Sequence, residues 1–210
     1  MSHSSAVLLH LDASPRAARS HSRQLGRDFA ATWLTAHPGG RIVTRDLGTN
    51  PPPLVSEPWV EVAFTPSATH SPAAQATIAV SDGYVDELLA ASEIVITTPI
   101  YNLTVPAVLK AWIDQIVRFG RTFEAVPTGG FRGLVSGKRI RVLVASGSDF
   151  RPGGPYGAYN FIEPYLRAIF GFIGITDVTF VYAHSQNQSP DVSAQAIAEA
   201  IATSRKLAAA

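Results

Sequence analysis

Apolar residues along this chain fall into two kinds of segment that take turns. Short dense runs occur at 6–11, 41–45, 93–98, 139–145 and 175–182. Their length and continuity predict strands, buried on both faces where the run is unbroken. Between them the apolar positions spread to helical spacing. Leu25, Phe29 and Trp33 recur every four residues in a helix that starts near Ser20 or Ser22 and stops at His37-Pro38-Gly39-Gly40. Ile78, Val85, Leu88 and Leu89 mark a second helix within 73–91. Val108, Leu109, Trp112, Ile113, Ile116 and Val117 give 107–117 a wide apolar stripe. Residues 162–172 and an alanine-rich 192–207 read as the last two helices.

Strand and helix alternate five times, which implies a parallel sheet with helices on both faces. Five strands fit a flavodoxin-like doubly wound α/β sheet in the order 2-1-3-4-5, in one domain spanning 1–210. Its switch point lies between strands one and three, so the loops after strands one, three and four should converge at one edge. Two stretches break the rhythm. Residues 51–72, rich in proline and carrying Leu54, Val55, Trp59, Val62 and Phe64, read as a long surface excursion that packs its apolar residues, with a second subunit as one partner for them. Residues 118–138, dotted with glycine, read as mostly irregular.

The converging loops carry the candidate chemistry. The first has no G-x-G-x-x-G, and the chain has no G-x-x-x-x-G-K-[ST]. It holds Ser14, Ser20 and Ser22 instead, the last two at a helix start, with Arg16, Arg19 and Arg23 near enough to add charge. Hydroxyls and the free N–H groups of a helix N-terminus bind phosphate without glycines, and the same serines serve as helix caps. The loop after strand three runs Pro99-Ile100-Tyr101-Asn102-Leu103-Thr104-Val105-Pro106. Two prolines restrict its ends, Tyr101 offers a flat ring and Asn102 donates and accepts hydrogen bonds, which suits a planar heteroaromatic ligand or a plain structural turn. Ser146-Gly147-Ser148-Asp149 after strand four is also an ordinary turn sequence. Placed together, the three loops fit a mononucleotide with a planar ring: FMN.

Composition narrows the alternatives. Net charge is +1 with no basic block, so nothing resembles a nucleic-acid footprint. Cysteine is absent, so any redox chemistry belongs to an organic cofactor. No metal-ligand spacing is present. No apolar run reaches the ~18 residues of a membrane span. Residues 1–5 lack the basic start of a signal peptide, and the expectation is a cytoplasmic protein. A serine esterase would need a base histidine in Asp-x-x-His or a G-x-S-x-G elbow, and neither occurs. An electron-carrier flavodoxin would dock through an acidic face, and a receiver module would need an aspartate where Thr97-Thr98-Pro99 stands. His10 and His184 read as structural strand-end residues.

Several stretches together resemble the FMN-dependent NADH-azoreductase and NADH:quinone oxidoreductase family. They are Asp12-Ala13-Ser14-Pro15, Ser20-His21-Ser22-Arg23-Gln24-Leu25, Pro99 to Leu103, Thr122-Phe123, Gly133 to Lys138 and Phe170 to Asp177, in the family's order over most of the chain. The resemblance implies that Ser14, Ser20, His21 and Ser22 hold the FMN phosphate. It implies that Ile100, Tyr101, Asn102 and Leu103, entered through Pro99, lie along the flavin, that Ser146, Gly147, Ser148 and Asp149 form the third FMN loop, and that Phe172 lines the substrate side. It further implies a homodimer that moves two electrons from NADH or NADPH to quinones and azo compounds by a ping-pong cycle, with the chemistry on the flavin and no separate nicotinamide domain. A flavin reductase or carrier is the related alternative. Two departures stand out. The family's third loop often reads Ser-Arg-Gly-Gly where this chain has Ser146-Gly147-Ser148-Asp149, and a tyrosine often follows at the segment that here reads Glu124-Ala125-Val126-Pro127.

Overall fold

Strands built from unbroken apolar runs sit in the middle of the sheet, and strands with polar interruptions sit at its edges. In the computed structural model, which describes residues 6–65 and 67–210, β1 (Val7–Asp12) is buried throughout and β3 (Glu93–Pro99) almost throughout. β2 (Arg41–Asp46) has both exposed and half-buried positions and forms an edge. With β6 (Arg139–Ala145) and β7 (Asp177–Ala183) these make one sheet in the order β2-β1-β3-β6-β7, every pair parallel. This is the expected 2-1-3-4-5 order, the fourth and fifth strands being β6 and β7. The expectation drawn from residues 1–5 falls outside the described residues. No helix among the described residues is long and apolar enough to cross a membrane.

Successive residues of a buried strand feed opposite faces. Leu9 and Leu11 of β1 join one apolar cluster with Ile94, Ile96, Ile140 and Val142; helices α3 (Pro72–Ala90), α4 (Ala107–Ile116) and α5 (Ile162–Ile173) cover it through Val85, Leu88, Trp112 and Phe170. Leu8, Val95, Leu143 and Val181 face the other way, under α1 (His21–Ala36) and α6 (Pro190–Ala208). Leu25, Phe29 and Trp33 are the predicted stripe of α1 and all are buried. Each contributes on the order of 1.5–3 kcal/mol by leaving water. At the lower end of the sheet Glu93 is buried but satisfied. It accepts from Trp33 Nε1 at 3.0 Å and from Arg141 Nε at 3.1 Å.

The two irregular stretches contain more structure than their patterns predict. Within 51–72 a short helix, α2 (Glu57–Ala63), is capped by Ser56 and carries a proline in its first turn. Seven residues are too few to display a period. Trp59 packs with Ala63 and Ile78, and its Nε1 donates to Gln115 Oε1 at 3.0 Å. Leu54 and Phe64 remain exposed. Within 118–138 lies a hairpin, β4 (Phe123–Ala125) against antiparallel β5 (Phe131–Gly133). Three-residue strands have no readable alternation. The hairpin is fixed instead by Thr122, whose hydroxyl accepts from Arg118 N and donates to Ile116 O, both at 2.8 Å. Gly133 lies against the backbone of Ile173 and Gly174 where a side chain would collide, so the hairpin seats on the end of α5.

Candidate cofactor site

The first loop is assembled around the start of α1. Ser20 is the N-cap, its Oγ accepting from Arg23 N at 3.3 Å. Ser22 stands in the first turn, 3.1 Å from Ser20 hydroxyl to hydroxyl. Ser14 closes the loop from the other end, accepting Arg16 N at 3.3 Å. Ser14, Ser20 and Ser22 are all buried in the chain, while His21 is half-buried. The predicted double role of these serines is therefore divided. Ser20 caps the helix, and Ser14 and Ser22 flank the same turn. Gly26 lets α1 approach β1 and β3 closely here, since a Cβ would meet Thr97 Cγ2 and lie 2.5 Å from His10 Nε2. Of the three arginines expected to add charge, only Arg16 lines the cleft. Arg23 turns inward to Asp46, which contradicts its expected role.

Beneath the loop sits a buried polar group. Asp12 accepts from the Thr97 hydroxyl, has His10 Nε2 at 3.4 Å and Arg23 Nη1 at 3.5 Å. Burial alone would raise its pKa; the His10 ring, the Thr97 hydroxyl and the Arg23 charge outweigh it and hold Asp12 below the usual carboxylate value. His10 lies inside β1, buried, and not at a strand end as expected.

The second loop leaves β3 at Pro99. Ile100 N donates to Ala145 O at 3.0 Å, tying it to β6. Tyr101 and Thr104 then exchange N–H···O bonds of 3.1 Å across a two-residue turn whose central residues, Asn102 and Leu103, have φ of 48° and 73°. Two positive φ values in succession are the signature of a type I′ turn, which favours Asn followed by Gly. A leucine there costs on the order of 1 kcal/mol. The turn is held from outside by Phe161 N, which donates to Leu103 O at 3.1 Å. The backbone N–H groups of Asn102 and Leu103 find no acceptor among the described residues. Pro106 starts α4 with its carbonyl accepting from Leu109 N and Lys110 N.

These loops enclose one cleft of about 230 Å³. Ser14, Arg16, Ser20, His21 and Ser22 form one wall, Pro99, Ile100 and Tyr101 the second, and Ala145, Ser146 and Gly147 the third. Gln186 and Asn187, which follow β7, form a fourth wall absent from the expectation. Their N–H groups donate to Ser146 O and Gly147 O at 3.0 and 3.1 Å, and Gly147 has no room for a side chain beside Asn187. Position was their available signal, because every strand of a parallel sheet delivers its following loop to the same end.

Five expected residues lie elsewhere; one is Leu103, whose carbonyl accepts Phe161 N and which does not line the cleft. Asn102 faces a second hollow of about 610 Å³ on the far side of Tyr101, shared with Pro106, Lys110 and Tyr165. Ser148 is turned into its own loop, its carbonyl accepting the Ser146 hydroxyl at 2.8 Å. Asp149 accepts Arg151 N, Nε and Nη2 at 3.1, 2.9 and 2.8 Å, and that pairing lowers its pKa. The carboxylate in this loop thus adds no free negative charge to the cleft. Phe172 meets Phe123 at a tilt and Phe131 edge-on, at ring separations of 4.8 and 5.8 Å, outside the cleft wall. Among the described residues no group of three His, Asp or Glu side chains is placed to hold a metal.

Known proteins resemble this chain in sequence and in fold. The model of a family described as having a flavodoxin-like fold matches residues 6–208. The FMN-dependent NADH:quinone oxidoreductase of Nostoc punctiforme is 51% identical over 193 residues, covering 92% of this chain and 93% of that one. FMN-dependent NADH:quinone oxidoreductase 2 of Trichormus variabilis is 48% identical over 196 residues, covering 93% and 94%. An azoreductase crystal structure from Bacillus anthracis superposes with a TM-score of 0.87 at 30% identity, over 97% of this chain and 99% of that one. By fold, by strand order and by sequence along nearly its whole length, the chain belongs to the flavodoxin-like family that includes the FMN-dependent NADH:quinone oxidoreductases.

Proposed function

We propose that this protein is an FMN-dependent oxidoreductase that passes two electrons from NADH or NADPH to quinones and azo compounds, acting as a homodimer in the cytoplasm. The observation that carries the reading is a single cleft with a serine-lined helix N-terminus at one wall and a proline-framed turn with free N–H groups beside it. The first suits a phosphate and the second a flat ring. The names of the relatives at 48–51% identity support the same cofactor and electron donor.

When bound, FMN would supply the two-electron redox chemistry of a ping-pong cycle between the nicotinamide and the acceptor. The protein binds and orients. Ser14 and Ser22 offer hydroxyls, α1 offers its unpaired first-turn N–H groups, and Arg16 adds charge to hold the phosphate. Ile100 and Tyr101 form a flat wall for the ring. The N–H groups of Asn102 and Leu103, fixed by the turn at the edge of that wall and left without an acceptor among the described residues, would serve as preorganised donors to the ring edge. Ser146 and Gly147 close the third side, while Ser148 and Asp149 brace that loop. Phe172, with Phe123 and Phe131, forms an apolar surface for the acceptor. No side chain is required as acid or base.

Replacing Ser14 or Ser22 with Glu places a carboxylate in the phosphate position. FMN retention after gel filtration is expected to be lost in both variants while the far-ultraviolet circular dichroism stays unchanged. Retention equal to that of the parent protein would refute the phosphate assignment.

A further inference from the structure

Arg23 is a side chain the phosphate reading leaves without a task. It is on the first turn of α1, its side chain nine-tenths buried, and it does not line the cleft. Its guanidinium turns back beneath the loop. Nε and Nη2 both donate to the carbonyl of Ser14, at 2.9 and 2.6 Å. Nη1 donates to Asp46 Oδ2 at 2.8 Å and Nη2 to Asp46 Oδ1, a two-pronged pair with the last residue of β2. Asp46 is itself fixed by Thr49 N and Oγ1 at 3.0 and 2.9 Å. Gly48 completes the enclosure, since a Cβ there would collide with the Ser14 carbonyl and lie 2.9 Å from Arg23 Nη2. The backbone of the same arginine meets the loop's other end, its N–H donating to Ser20 Oγ at 3.3 Å.

One residue therefore grips both ends of the serine loop, Ser14 through its side chain and Ser20 through its backbone. The planar fork of arginine makes this possible, because it presents two parallel N–H groups to Asp46 while two of its nitrogens meet one carbonyl. The same guanidinium compensates two carboxylates, Asp12 and Asp46, that lie close under a site meant for an anion. Without it the loop would lose its anchor and the anion would meet uncompensated negative charge. Both effects act on a phosphate, and neither acts on a neutral ring held by the second loop.

We infer that Arg23 is a positioning residue for phosphate recognition: it straps the Ser14 carbonyl to the end of β2 and neutralises the carboxylates below, so that the protein selects a phosphorylated flavin over an unphosphorylated one. The inference rests on the assignment of the serine loop to the FMN phosphate.

The test compares affinities for FMN and riboflavin, by quenching of flavin fluorescence, in the parent protein and three variants. The parent protein should prefer FMN. Arg23→Gln should weaken FMN by about tenfold, the scale of a lost hydrogen bond to a charged group, and leave riboflavin affinity nearly unchanged. Arg23→Lys keeps the charge and the fold but not the fork, and its preference should be intermediate. Arg27→Gln removes the same charge from an exposed position one turn further along α1 and should keep the parent preference. A general loss of structure would weaken both flavins together and lower the melting temperature, so the ratio of the two affinities reads the strap itself. Full preference for FMN in Arg23→Gln or Arg23→Lys, or an equal loss in Arg27→Gln, would overturn the inference. A parent protein that binds riboflavin as tightly as FMN would instead overturn the phosphate assignment beneath it.

Discussion

Leu103 shows how a local cost marks a functional turn. Its φ of 73° follows Asn102 at 48°, and glycine is the residue that such a turn favours at the second position. Strained backbone persists where the surroundings over-determine it, and here the Tyr101–Thr104 bonds and Phe161 do so. Leu103→Gly should stabilise the flavin-free protein by about 1 kcal/mol. It should also weaken FMN binding, because a freer turn no longer fixes its N–H groups. Leu103→Val should destabilise by a similar amount, since a β-branched side chain tolerates positive φ worst. Urea unfolding and FMN titration of both variants check this. A less stable Leu103→Gly, or one with parental FMN affinity, would show that the turn stores no strain for binding. At this scale the meeting of the serines with Pro99, Ile100 and Tyr101 at one cleft was legible, because residue type and placement after a strand announced them. The conformation of Leu103 was not, because a leucine carries no signal for positive φ. Arg23 was legible as a charge but not as a strap, since its partners Ser14 and Asp46 lie 9 and 23 positions away.

Among the elements, α4 and α5 carry surface that the fold leaves uncovered. The hollow beside Tyr101 continues between these helices into a second one of about 330 Å³, bounded by Val55, Trp59, Ile113, Val117 and Ile169. Lys110 and Tyr165 belong to both hollows. Burial and the nearby Asp114 push the Tyr165 hydroxyl up to about 12, and the charges in the lining, Lys110 and Asp114, pair with each other. A continuous apolar groove reaching the back of Tyr101 suits a second copy of the chain, and dimerisation would then complete the wall of the site. Val55→Glu puts a charge on an exposed position of this groove without touching the core. Sedimentation velocity should give twice the chain mass for the parent protein and a shift toward the single chain for the variant. A monomeric parent, or a fully dimeric variant, would remove the groove from the proposed interface. The long helices and the five sheet strands were readable from periodicity. α2 and the β4–β5 hairpin were not, because what fixes them is a cap at Ser56, the side-chain bonds of Thr122 and a close approach at Gly133.

For the whole molecule, topology supplies the site. Parallel pairing on both sides of β1 and β3 sends α1 to one face and α4 to the other. The crevice between their starting loops is the place where doubly wound sheets bind ligands. The same rule brings in the loop after β7, whose Gln186 and Asn187 went unrecognised because they lie beyond the switch point and carry no motif. On the proposed function, this crevice holds FMN and lets NADH or NADPH reach it. The most direct measurement is the visible absorbance of the protein with stoichiometric FMN in the absence of oxygen. NADH or NADPH should bleach the flavin band, and a stoichiometric addition of benzoquinone should restore it. A protein that fails to retain FMN, or a bound flavin whose band neither nicotinamide bleaches, would contradict the account.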